Sequence, residues 1–274
     1  MGASRVTHLR GLTWRDARAR STDPATFPFS VPAISALTSL EFAVPVTMLV
    51  GENGSGKSTL LEAIAIAAQL PAIGFHELSL DGSLVGQRAL AAELRLSWAW
   101  RARRGFFLRA EDFFGYLKRR AIDDARLSRE RLDALRGATK ADDTLSTALG
   151  TDTLAADRYL AHHDTRSHGE SFLDLFSERI RGRGLYLLDE PETPLSPQRQ
   201  LALLGLMIDA VRDGAQFIVA THSPILLAYP GAQILSFDTV PISPVAYDDL
   251  EHVRTMRDFL NAPDQYIRHL QTGA

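Results

Sequence analysis

Cysteine is absent from this 274-residue chain, so disulfides, thiolate–zinc sites and thiol nucleophiles are excluded together. No apolar run approaches the ~20 residues needed to cross a bilayer. The first residues, Met1-Gly2-Ala3-Ser4-Arg5-Val6, lack the apolar centre of a signal peptide. The expectation is a soluble, cytoplasmic protein with no membrane segment of its own. An excess of one charge is also missing: the net value of −3 implies no general affinity for polyanions. Lysine is scarce, at Lys57, Lys118 and Lys140, whereas arginine abounds. From Arg95 to Arg136, twelve Arg and Lys face six Asp and Glu. Such a patch could track nucleic-acid phosphates, although the solvated face of Arg-rich helices is the simpler reading. Apolar content of 45% and charged content of 23% suit one large core, or one core plus a subdomain.

What is present is concentrated in a few motifs. Residues 51–59 read Gly51-Glu52-Asn53-Gly54-Ser55-Gly56-Lys57-Ser58-Thr59 and match G-x-x-x-x-G-K-[ST] without departure. The glycines let the backbone curl until successive N–H groups point at phosphate oxygens. Lys57 adds a positive charge for the β- and γ-phosphates, and the Ser58 hydroxyl suits Mg²⁺. A strand-like run, Val46–Val50, precedes the loop, and a strong helix former, Leu60–Ala68, follows it. Strand, loop and helix in that order aim the positive end of the helix at the phosphates.

Around this motif the pattern alternates. Alternation over Ile34–Phe42 fits strands leading into the P-loop strand. Glu93–Trp100 and Phe106–Arg109 read as strands, whereas residues 112–160 lose period-2 alternation and read as helical. Ser171–Ile180 is an amphipathic helix, Gly184–Leu188 an apolar strand, Gln198–Arg212 a helix and Gln216–Ala220 a further apolar strand. Gln233–Phe237 reads as one more strand, with helical stretches over Asp248–Leu260 and Asp264–Leu270. Continuous apolar strands alternating with helices imply an α/β fold with a mostly parallel sheet covered on both faces. The expected organisation is one domain over 1–274: a core lobe of about 1–80 and 171–240, a helical insert of about 81–170, and a C-terminal helical tail over 241–274.

Three further motifs carry chemistry. Leu185-Tyr186-Leu187-Leu188-Asp189-Glu190 is a buried strand ending in two acids, which is costly unless the acids face a site. Asp189 there can hold Mg²⁺ through its water shell, and Glu190 can orient and deprotonate an attacking water. In Phe217-Ile218-Val219-Ala220-Thr221-His222-Ser223-Pro224, His222 follows the P-loop and the acidic strand in the order expected of a phosphate-sensing histidine. Ser167-His168-Gly169-Glu170-Ser171 precedes the amphipathic helix, where a hydroxyl and free amides can meet an anion.

Together these motifs resemble the ATP-binding cassette (ABC) ATPases, of the soluble kind related to chromosome-maintenance and repair ATPases. More closely they resemble stand-alone bacterial ATPases of the AAA/ABC type that combine GENGSGKSTLLEAIA, SHGESF, LYLLDEPE and ATHSPILLAYP segments. The resemblance implies a P-loop NTPase fold of ABC-ATPase type, with an N-terminal β segment and an inserted helical subdomain. It also implies ATP and Mg²⁺ as ligands and a homodimer that forms on ATP binding. Gly51 to Thr59 would hold the nucleotide, and Ser58 and Asp189 the Mg²⁺. Lys57, Glu190 and His222 would carry the chemistry. The signature Ser167, His168, Gly169 and Glu170 would touch the γ-phosphate held by the other copy. The chain departs from the family in three places. His168 stands where the signature normally has glycine, and Ser196 stands where the D-loop aspartate is usual. Arg109 or Glu111 occupies the position of the Q-loop glutamine.

The function expected from this reading is Mg-dependent ATP hydrolysis coupled to work on a soluble client, with nucleic acid as one candidate. The alternatives are the energising subunit of a membrane transporter and a nucleotide switch that does not hydrolyse.

Overall fold

Strands that are apolar at every position can only be satisfied inside a sheet covered on both faces, and they fix the architecture. The computed structural model describes residues 7–15, 25–73, 82–102, 104–110, 112–113, 126–127, 130, 168–180 and 182–272. Its elements run β1 (Leu9–Trp14), α1 (Pro32–Ser35), β2 (Ser39–Glu41), β3 (Val46–Val50), α2 (Lys57–Ala68), α3 (Val85–Glu93), β4 (Leu94–Trp98) and β5 (Gly105–Arg109). They continue α4 (His168–Arg179), β6 (Gly184–Asp189), α5 (Pro197–Arg212), β7 (Ala215–Ala220), α6 (Pro224–Leu227), β8 (Gln233–Ser236), β9 (Ser243–Pro244), α7 (Glu251–Asn261) and α8 (Pro263–Thr272).

The larger sheet has six strands in the order β5-β6-β7-β3-β8-β9, and all but the last pairing are parallel. Beside it lies a three-stranded antiparallel sheet, β2-β1-β4. Alternate residues of the parallel strands feed two cores. Leu49, Phe107, Leu185, Leu187, Ile218 and Ala220 face α2 and the smaller sheet. Met48, Phe106, Leu108, Tyr186, Leu188, Phe217 and Val219 face α4 and α5. Aromatic rings bind this second layer: Phe106 meets Phe176 and Tyr186 edge-on, and Tyr186 stacks on Phe217 at 5.3 Å. The same alternation places Arg109 and Asp189 on the α2 face, because each follows its strand's inward series by two residues.

Gln216 joins the two sheets. It is fully buried, and its Oε1 accepts the N–H groups of His8 and Leu9 at 2.8 Å each. Its Nε2 donates to the Leu9 carbonyl, also at 2.8 Å. One side chain thus satisfies three backbone groups where β1 enters the core.

Two expectations change. Ile34 and Ser35 lie in α1, not in a strand, because Pro32 at the first helical turn presets a helical φ. Only Ser39–Glu41 of that stretch is extended. Residues 82–109, expected in the helical insert, supply β4 to the antiparallel sheet and β5 to the parallel one. Their apolar faces complete both cores, so they are integral to the lobe. Most of the stretch expected to be helical, 112–160, lies outside the described residues, as does much of the basic run from Arg95 to Arg136.

Gln216→Ala strands three buried backbone groups and should destabilise the fold by about 2–4 kcal/mol in equilibrium urea unfolding. A loss below about 1 kcal/mol would mean that the two sheets are held together elsewhere.

Candidate functional site

Parallel strands bring their carboxyl ends to one edge of the sheet, and every described member of the candidate site lies along it. The P-loop leaves β3 at Gly51 and enters α2 at Lys57. Gly51, Gly54 and Gly56 have φ values of 147°, 83° and 103°, a region that side chains strain to reach. A Cβ at Gly56 would also sit 2.9 Å from Val31 Cγ1. No side chain caps α2, so its first N–H groups are free of a side-chain partner and face the loop's concavity. Glu52, Asn53 and Gly54 are exposed, Ser55, Ser58 and Thr59 partly so, and Gly56 and Lys57 are buried.

Lys57 Nζ folds over the loop and donates to the carbonyls of Gly51 and Glu52 at 2.7 and 2.9 Å. Burial lowers its pKa, while Glu190, Asp238, Asp189 and Glu192 pull the other way. The Ser58 hydroxyl donates to Asp189 Oδ1 at 3.0 Å. Burial pushes the Asp189 carboxyl up to about 7, with Glu62 and Glu190 adding to the rise and Ser58 and Arg109 opposing it. Glu190 turns out of β6 with φ at 49°, and its N–H donates to the Ala220 carbonyl at 2.9 Å. His222 Nε2 lies 4.0 Å from Glu190 Oε1, with both side chains roughly half exposed. Burial first, then Lys57, lowers the His222 pKa, while Glu190 and Asp238 oppose the shift.

The donor set suits Mg²⁺. A hydroxyl and a carboxylate meet at one point, both hard oxygen ligands, and leave other positions to phosphate and water. Among the described residues no group of three or more His, Asp or Glu is arranged to hold a metal alone.

The structure brings together Lys57, Ser58, Asp189, Glu190 and His222. Arg109 ends β5 opposite Asp189 in register and pairs with Glu62 of α2, both side chains buried. Glu111 and Ser167 lie outside the described residues. His168, Gly169 and Glu170 open α4, which starts three residues earlier than the expected helix.

Three contributors escaped the sequence reading. Glu62 clamps Arg109. Asp238, just past β8, accepts the Glu52 N–H at 2.7 Å and pins the P-loop's first turn. Glu192 accepts the His222 N–H at 2.7 Å. Glu62 could have been found from its i+4 spacing to Ser58, which puts both on one helix face. Asp238 had no local signal. A cavity of about 730 Å³ adjoins the loop, lined by Gly51, Glu52, His222, Asp238, His252 and Phe259 among others.

An AAA domain family whose description names AbiEii toxin and type IV TA systems matches residues 171–228, and a second AAA domain family matches residues 32–69. These spans contain the acidic strand with the histidine loop, and the P-loop. The chain is thus similar to AAA domains over both of those segments. Ribose import ATP-binding protein RbsA 1 of Burkholderia cenocepacia (strain HI2424) is 28% identical over 204 residues, covering 70% of this chain and 37% of the relative. The chain thus spans well under half the length of the curated relatives it matches. An ABC transporter of metal-chelate type, solved in an inward-facing conformation, overlaps 78% of each chain at 18% identity and a TM-score of 0.40. The Smc head domain bound to the C-terminal domain of ScpA, from Pyrococcus furiosus, overlaps 93% of this chain and 99% of its own at 10% identity and a TM-score of 0.37.

The raised Asp189 pKa has a stability consequence. The folded chain holds this proton more tightly than the unfolded chain between about pH 4 and pH 7. The contribution is full below about pH 4 and is lost as pH rises through about 7. Asp189→Asn cannot titrate, so without nucleotide or divalent cation it should gain about 1–3 kcal/mol relative to wild type between pH 5 and pH 8. Urea unfolding at both pH values measures the difference, and parallel pH profiles for the two proteins would contradict it.

Proposed function

We propose that the protein binds Mg-ATP and hydrolyses it to ADP and phosphate, with two copies closing head to tail around the nucleotide. The observation that carries this reading is the convergence of Lys57, Ser58, Asp189, Glu190 and His222 at one sheet edge. Each supplies a different requirement of phosphoryl transfer to water. The Gly51–Thr59 backbone and Lys57 cradle the β- and γ-phosphates. Ser58 and Asp189 would hold Mg²⁺, which when bound neutralises charge on the phosphate oxygens. Glu190 takes the proton of the attacking water, and the His222 ring can hydrogen-bond the γ-phosphate. The α4 start at His168–Glu170, with Ser167, serves the nucleotide of the second copy. The energy of closure and opening drives a change in a soluble client, with nucleic acid a candidate in a repair or defence setting.

The curated relatives' names favour a second reading, that of an energising subunit for membrane import. It would require a membrane partner, because no helix among the described residues is long and apolar enough to cross a membrane. A Glu190→Gln form trapped with ATP and used as bait separates the two, since it should retain either a soluble client or a membrane protein.

Glu190→Gln should lower ATP turnover by about 10²-fold or more while leaving nucleotide binding intact. The same variant should dimerise more persistently in Mg-ATP by light scattering. Lys57→Ala should abolish binding. Unaltered turnover in Glu190→Gln would remove Glu190 from its role, and a strictly monomeric protein in Mg-ATP would remove the closed dimer.

A further inference from the structure

The proposed chemistry leaves one partly buried acid without a task. Glu192 lies two residues beyond Glu190, in the loop between β6 and α5, and burial pushes its carboxyl up from the usual range. A carboxylate withdrawn from water is costly unless it fixes something. What it fixes is the histidine loop: Oε1 accepts the His222 backbone N–H at 2.7 Å. A second strap joins the same two loops further on. Gln200 of α5 donates from Nε2 to the Leu195 carbonyl at 3.1 Å and accepts the Ser223 hydroxyl at 2.6 Å. Ser223 Oγ in turn accepts the N–H groups of Ile225 and Leu226, capping α6. His222 is thus tied on both flanks to the segment that begins at Glu190.

We infer that Glu192 is a positioning residue that locks the His222 backbone to the loop carrying Glu190, so that the Glu190 carboxylate and the His222 ring address one phosphate together. The inference rests on the hydrolytic reading of that pair given above. Glu192 itself does not touch the reacting atoms. Its Oε1 is committed to an amide, and the metal-facing acid is Asp189, whose Oδ1 meets Ser58. The carboxylate oxygen, as acceptor, does the work, so a neutral amide of the same shape should replace it. The same two straps make residues 190–196 and 221–223 move as one body, which places His222 under the control of whatever meets the Thr193–Ser196 surface.

The test compares wild type, Glu192→Gln, Glu192→Ala, His222→Ala and the Glu192→Ala/His222→Ala pair by two readouts. Amide hydrogen exchange at His222, followed by NMR, reports the clamp without any turnover. The His222 amide should be protected in wild type and in Glu192→Gln, and should exchange about tenfold faster or more in Glu192→Ala. Under saturating Mg-ATP, kcat should fall about tenfold or more in Glu192→Ala with nucleotide Kd within about twofold, and Glu192→Gln should stay within about threefold of wild type. In the His222→Ala background, Glu192→Ala should change kcat by less than about twofold, because the effect runs through His222. Equal melting temperatures for the Gln and Ala variants would show that folding is not the cause.

Unchanged His222 exchange in Glu192→Ala overturns the inference, as do losses in Glu192→Ala and His222→Ala that multiply. Equal damage from Gln and Ala overturns the acceptor role. Wild type without turnover would defeat the hydrolytic reading, and amide exchange would still decide on its own whether Glu192 holds the loop.

Discussion

The hydroxyl of Ser58 meets the carboxylate of Asp189 across 131 positions of chain, and the rest of the site depends on that meeting. Neither β3 nor β6 touches the other, because β7 lies between them. The contact exists because parallel strands end on the same edge and because α2 crosses the sheet face from β3 toward β6. The apolar stripe of α2, with Leu60, Leu61 and Ile64 fully buried, holds it in that crossing. Packing therefore sets the distance between the two oxygens.

The charge around this contact is unusual for a site meant to receive a polyanion. Lys57 is surrounded by Glu190, Asp238, Asp189 and Glu192, all acting on it at once. Arg109 adds a second positive charge, but Glu62 pairs with it. Under the proposed function, these cations alone would not offset a triphosphate. A nucleotide arriving with a divalent cation would relieve the acids and satisfy the phosphates together, whereas a bare one would meet repulsion. The raised Asp189 pKa comes first from burial, and the neighbouring Glu62 and Glu190 add to it.

Backbone strain sits at the residue assigned the proton transfer. Glu190 holds a left-handed φ, which typically costs a non-glycine residue about 1–3 kcal/mol. Its N–H bond to the Ala220 carbonyl ties it to the end of β7, and Pro191 follows at once. The turn directs the side chain away from the strand axis toward His222. With Glu192 and Gln200 bracing the histidine loop, the two chemical groups are set by one connected piece of backbone.

Much of this was legible along the chain. The P-loop, the acidic strand, the histidine loop and the parallel α/β class follow from local patterns, because glycine tolerance, apolar continuity and turn placement are properties of neighbouring residues. The structure places Val46–Val50 as the sequence pattern does and begins α2 at Lys57, three residues before the run that signalled it. The expected strand around Ile34 failed because Pro32 governs that turn; β4 and β5 were legible as strands, but not the distant partners, β1 and β6, that draw them out of the expected insert. Asp238, Gln216 and Glu192 were silent in sequence, and Glu62 showed only as an i+4 neighbour of Ser58. Each acts through a partner that only the folded sheet brings near: Glu52, the β1 backbone, Arg109 and the His222 amide. Local chemistry wrote the list of reactive groups; long-range packing decided which side chains hold them in place.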